Sequence, residues 1–446
     1  MMSRCIDKAA KRVVFVFFIL PLISCVSAGR FESLDKSFAA GHYAEARYSL
    51  EADKNRLYTG SDEVLYYLDA GMLSRFAGDY EASNKELGEA EKLIEYCYAK
   101  SISQAVGSFI LNDTLIDYAG EDYEDIYTNL FMALNYIQLG KAEDAFVEIR
   151  RFDNKIKLLS SKYEKAIYEA KRQTENIQPS AYSRPDLRFH NSALARYVSL
   201  LLYRSEGKFD SAEIDKKYIQ SAFAAQPSLY PFPVPAAVEE EFSIPADCAR
   251  LNVLCFTGSA PRKEEEVIRI PDAIGGAFFK IALPVMYKRP SKTASVEVEA
   301  ESADGIKSRK KLELIESIEN IAEDTFRQKQ ALLYTKAFLR AASKTTASSA
   351  VSAVLESQDD EGLNALGGLL RFASGIFIEV SERADTRISR FFPAEVRAGG
   401  LNLKSGLYTL RVTCYDKNGR MLYTETKKDV PVQSGKLNIV ESVCTR

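Results

Sequence analysis

The sequence predicts an α+β protein: an all-α N-terminal array of helical hairpins, followed by an α+β domain with a small antiparallel sheet. Three observations predict it. A short glycine-centred pattern recurs four times between residues 41 and 212, flanked by apolar residues at helical spacing. Five prolines then fall within the 22 residues Ala224–Pro245, where fixed φ and missing donors forbid a continuous helix. Beyond residue 250 the apolar period drops to two, the spacing of half-buried strands.

The first residues carry a three-part export signal. Arg4, Lys8, Lys11 and Arg12 form a basic start, and Val13–Ile23 is an apolar run. That run is shorter than the about 20 residues a membrane-crossing helix needs. Leu22-Ile23-Ser24-Cys25 then resembles a bacterial lipobox, with an aliphatic residue at −3 and a small one at −1. The resemblance implies cleavage after Ser24 and transfer of a diacylglyceryl group to the Cys25 thiol, since a thiolate is the nucleophile that accepts it. Acyl chains, at about 0.8 kcal/mol per buried CH₂, would hold the body on a membrane. A plain secretory signal, or an uncleaved anchor with an incidental cysteine, are the alternatives. Val26 after the cysteine favours the outer membrane by the enterobacterial sorting rule. The expected location is the bacterial cell envelope, facing the periplasm.

The recurring pattern reads GHYAEA at Gly41, GDYEAS at Gly78, GKAEDA at Gly140 and GKFDSA at Gly207. The clearest copy lies in Asp125–Phe152, where Leu130, Ala133, Leu134 and Ile137 share a helical face before Gly140. Glycine suits such a turn because it accepts positive φ. An aromatic two positions later (Tyr43, Tyr80, Phe209) would wedge between paired helices, and Ala46, Ser83 or Ala212 would let them approach; the third copy has Ala142 in the aromatic slot. The pattern resembles the tetratricopeptide repeat, a helix-turn-helix unit of about 34 residues. The gaps between Gly78, Gly140 and Gly207 hold either degenerate repeats or, as favoured here, lengthened second helices. Such an array would form a concave wall suited to a protein partner.

Ala224–Pro245 reads as a semi-rigid linker. After it, RLNVLCFTG, VIRIP and KTASVEVEAES look like strands, and Lys311–Arg340 reads as a helix in which Leu314, Ile318 and Ile321 share a face. LYTLRVTCYDKNGRMLYTET is a hairpin with its turn at Asn418-Gly419, and GKLNIVESV is a last strand. Gly362–Val380, apolar and glycine-rich, reads as a buried helix against the sheet. The domains are thus 1–24 signal peptide, 25–223 helical array, 224–249 linker and 250–446 α+β domain.

Three stretches together, Gly120–Arg151, Glu264–Pro290 and Ser381–Val396 followed by SGLYTLRV, resemble a family of bacterial envelope lipoproteins of unknown function whose N-terminal half is tetratricopeptide-like. The resemblance implies a surface-anchored accessory protein and carries no reaction with it.

The residues themselves point to no chemistry. With 59 Lys and Arg against 62 Asp and Glu, no positive excess exists to hold nucleic acid. Phosphate-loop, HExxH and GxSxG motifs are missing from the sequence. His42 and His190 read as surface residues. The acidic cluster Glu121, Asp122, Glu124 and Asp125 reads as charge complementing a helix N-terminus. Arg150, Arg151, Lys155 and Lys157 read as a solvated face, and Asp385 and Arg387 as a structural ion pair. Cys97, Cys248, Cys255, Cys414 and Cys444 fit no disulfide framework; pairs 248–255 and 414–444 stay open beside buried free thiols. No catalytic, cofactor or metal residue is assigned. The expectation is a non-enzymatic scaffold, held by acyl chains on Cys25 and binding a protein partner in cell-wall synthesis or outer-membrane assembly. The alternative is a small-molecule-binding protein or enzyme using an interdomain cleft.

Overall fold

The computed structural model describes residues 30–103, 116–162, 187–271, 278–289, 291–330, 333–334 and 383–445. Eight of its helices form four hairpins: α1 (Glu32–Ala40) with α2 (Tyr43–Ala52), α3 (Glu63–Phe76) with α4 (Tyr80–Ser103), α5 (Asp122–Gln138) with α6 (Ala142–Lys162), and α7 (Ala193–Ser205) with α8 (Phe209–Ala225). Gly41, Gly78, Gly140 and Gly207 occupy the four turns at φ of +85°, +86°, +69° and +74°. In each turn the glycine N–H returns to the carbonyl three residues back, and the next N–H to the carbonyl five residues before it. This is the Schellman closure, which needs a left-handed residue at that point. Five residues past each glycine, Ala46, Ser83, Ala145 and Ala212 are fully buried between helices. The aromatic slot is less uniform: Tyr43 packs on Phe38 and Phe76, whereas Phe209 is exposed.

The second half differs from the small antiparallel sheet that the sequence predicts. Seven strands form one mixed sheet in the order β8-β7-β4-β5-β6-β1-β9. They are β1 (Ala249–Thr257), β4 (Ser295–Ser302), β5 (Lys307–Ser317), β6 (Glu395–Leu403), β7 (Gly406–Tyr415), β8 (Met421–Val432) and β9 (Asn438–Cys444); β2 (Arg262–Pro271) and β3 (Phe278–Tyr287) pair separately. β9 runs parallel to β1 while the other pairs are antiparallel. The edge strands β8 and β9 come together, with Ser442 Oγ donating to Glu425 at 2.7 Å, so the sheet nearly closes into a barrel.

The larger sheet escapes the sequence pattern for a local reason. β5 and β6 are the strands that join β4 and β7 to β1 and β9, and each disguises itself in sequence. A bulge in β5 between Leu314 and Glu316 breaks its alternation, so its end mimics a helical face, and the helix α9, described over 318–330 and 333–334, begins only at residue 318. In β6, Gly399 and Gly400 read as breakers. A Cβ on Gly399 would stand 2.5 Å from Leu312 Cδ2, and one on Gly400 would meet the Arg250 guanidinium. The two glycines make room for neighbours inside a strand.

Two hydrophobic cores result. Alternate residues of β1 (Ala249, Leu251, Val253, Cys255) point into the barrel with Val296, Val298, Leu312, Leu410, Val412, Cys414 and Cys444. Leu254 and Phe256, on the opposite face of β1, join a second core with all four hairpins. The Pro-rich stretch packs into this body: Leu229, Tyr230, Ala237 and Val238 are buried. All five cysteines of the described chain are free, so neither the 248–255 nor the 414–444 pairing forms. The signal segment with Cys25, and Gly362–Val380, lie outside the described residues. Among the described residues, no helix is long and apolar enough to cross a membrane.

Candidate functional site

The inner wall of the hairpin array, where a partner was expected, is filled by the protein's own β domain. Phe256 of β1 meets Phe76 and Phe131 at 6.5 and 5.7 Å between ring centroids. Phe391 and Phe392, on the extended strap 383–394, meet Phe38 at 4.6 Å and Phe131 at 5.6 Å.

Buried polar groups fix the register of this seam. Glu316 of β5 accepts from Tyr127 Oη at 2.5 Å, Ser192 Oγ at 2.6 Å, Tyr230 Oη at 2.8 Å and Leu194 N at 3.1 Å. Burial pushes its pKa up and the four donors pull against that rise. Ser389 on the strap donates its N–H to Glu124 at 2.6 Å and its hydroxyl to Asp69 at 2.7 Å. Burial raises Asp69 to about 6 and Glu124 to about 7, the Glu121 charge adding to the latter. Such values often mark catalysis; here Asp69, Glu124 and Ser389 are fully buried and bonded to one another across the seam. They form a lock.

The acidic cluster at the start of α5 has partners beyond the helix dipole. Glu121 pairs with buried Lys263 at 2.6 Å, Asp122 with Lys162 at 2.6 Å and Asp125 with Lys155 at 2.6 Å. Arg151 and Lys155 are paired with Glu91, while Arg150 and Lys157 face solvent. Asp385 and Arg387 pair at 2.9 Å, and Arg387 reaches on to Asp62 at 3.1 Å and to the carbonyls of Ser61 and Ile116. The ion pair therefore ties the strap to the array instead of closing the β domain alone. His42 and His190 are exposed. Among the described residues no cluster has metal-ligand geometry.

At the rim of the seam lies a cleft of about 760 Å³, walled by the end of α1, the loop after β1, the approach to β4 and the β7–β8 turn. Arg289, Lys292 and Arg420 line it, with Ser259 and Ser291 between them. Gly258, at φ +67°, lets Ser291 and Ala394 close in; a Cβ there would stand 2.9 Å from Ala394 Cβ. Arg289 also lines a second cleft of about 570 Å³, together with Arg30, Arg262, Lys263, Arg387 and Arg390. In this second cleft most cations are neutralised: Arg387 by Asp385, Arg390 by Asp35, Lys263 by Glu121 and Arg262 by Glu264. Arg30 bonds the carbonyl of Arg56, and Arg289 too bonds carbonyls. The Arg289 guanidinium donates to the carbonyls of Ala260 at 2.5 Å and Arg390 at 3.1 Å. Burial first, then the charges of Arg390 and Arg262, act against its ionised form.

The four turn glycines stand at the hairpin ends and build the array; Gly41 is two positions beyond Ala39 of the cleft wall, where an added Cβ would be 3.9 Å from Tyr423 Oη. The sequence reading missed Arg289, Lys292 and Arg420; the basic run MYKRPSK carries two of them and was the available signal. Comparison with known proteins finds no match: no protein-family model, no curated protein and no solved structure is similar to this chain.

Proposed function

We propose that the protein is a docking subunit of the bacterial cell envelope, tethered through acyl chains on Cys25 and offering its helical array to a protein partner in cell-wall synthesis or outer-membrane assembly. The observation that carries this reading is the division between the array's two walls. The inner wall is occupied by the chain's own strap and β1. The outer wall keeps large side chains in water: Tyr48 is 77 % exposed, and Ile214 and Tyr218, one helical turn apart on α8, are 54 % and 48 % exposed. Neighbouring apolar groups at the open end of a repeat array are a surface for a protein. The partner thus docks outside the array, in place of the concave capture that the repeats alone imply.

A photo-crosslinking residue at Ile214, in cells, should yield one discrete adduct that Tyr218→Ser weakens severalfold. Adducts spread over many proteins, or none, would remove the docking role. Labelling with a clickable fatty acid should mark the wild type and spare Cys25→Ser; equal labelling refutes the tether.

A further inference from the structure

We propose that the Arg289–Lys292–Arg420 cleft is a binding site for a phosphate ester, either the headgroup of an anionic lipid or a free phosphorylated solute. Among the described residues, none of these three cations has a carboxylate within ion-pair distance. Of the other cleft arginines, Arg262, Arg387 and Arg390 pair with carboxylates, and Arg30 bonds the carbonyl of Arg56. Asp416 is the acid on the cleft wall, and its carboxylate is engaged by the N–H groups of Asn418 and Arg420 within its own turn. Arg289 is held in place by two carbonyls, which orient the guanidinium without cancelling its charge. A guanidinium presents a planar fork that matches phosphate oxygens, and an ammonium adds a point charge. The Ser259 and Ser291 hydroxyls supply neutral donors in the same cleft. The volume suits a headgroup-sized ligand.

Position adds a second argument, and this one rests on the Cys25 tether proposed above. Arg30 lines the cleft that adjoins this one through Arg289. It lies five positions after Cys25, a span of at most about 18 Å. An acylated Cys25 therefore keeps the cationic rim within reach of lipid phosphates.

The test uses the full chain with Cys25→Ser, so that binding is read without an acyl anchor and fatty-acid labelling of the wild type judges the tether separately. Inorganic phosphate, at ionic strength matched with chloride, should raise the unfolding temperature by a few degrees. Lys292→Ala and Arg420→Ala, both at exposed side chains, should each weaken phosphate binding about tenfold, while Lys157→Ala, on an exposed face of α6, leaves it unchanged. Co-sedimentation with phosphatidylcholine vesicles containing phosphatidylglycerol, competed by phosphate, assigns the site to a lipid headgroup. Phosphate binding without vesicle binding assigns it to a free phosphorylated solute. No response to phosphate, or a response that survives both variants, overturns the site.

Discussion

The two cores of this molecule are built on different principles. The barrel interior is mostly aliphatic, with the ring of Tyr408 and the three thiols Cys255, Cys414 and Cys444. The seam between barrel and array buries aromatic rings together with Asp69, Glu124, Glu316, Arg75 and Lys263. Apolar packing stabilises but is tolerant of direction. Hydrogen-bonded charges are intolerant of it, because any slip leaves a desolvated group without a partner. The barrel core holds strands together; the seam decides how two unlike halves sit.

The largest effect expected from this contrast is at Glu316. Glu316→Ala strands four donors at once and should cost about 3–5 kcal/mol in urea unfolding, whereas Leu410→Ala in the barrel leaves a cavity costing about 2–5 kcal/mol. A Glu316→Ala loss below 1 kcal/mol would remove the seam's special status.

Next in size is the pH response. Asp69 and Glu124 are raised on folding to about 6 and about 7 from ordinary values of 3.8 and 4.5. The folded chain thus binds these protons more tightly. This share of the stability is complete below about pH 4 and is lost as pH rises through 6 and 7, on the order of 3 kcal/mol for each group. Glu124→Gln should flatten its part of that fall in thermal melts from pH 5 to 8. A stability that climbs over this window would contradict the buried lock.

Smaller effects separate packing from turn geometry in the array. On α3, Gly71 faces Leu87, whose Cδ2 would be 2.6 Å from an added Cβ, so Gly71→Ala should cost about 1–3 kcal/mol. At Gly140 the surrounding space is open and only the positive φ is strained, so Gly140→Ala should cost about 1 kcal/mol. Equal costs would mean that the contact between Gly71 and Leu87 is loose enough to admit a methyl group.

The array was legible because its signals are local. A glycine, a small residue five positions on and an apolar helical face all act within one hairpin. β1, β4, β7, β8 and β9 were legible from alternation and the Asn418-Gly419 turn. The barrel was not, because Ile315 sits at a bulge and Gly399 and Gly400 earn their place only through Leu312 and Arg250, far away in the sequence. The cleft was hidden for the same reason: Arg289 and Arg420 are 131 positions apart and meet only when β1, β3 and β7 are in place.

Array and barrel are one body, with the hollow of the first filled by the second. Denaturant unfolding followed at once by helical ellipticity and by thiol labelling tests it, since Cys255, Cys414 and Cys444 are enclosed in the barrel. Coincident midpoints are the predicted result. Barrel thiols that stay protected after the helices have melted would show two independent domains and contradict it.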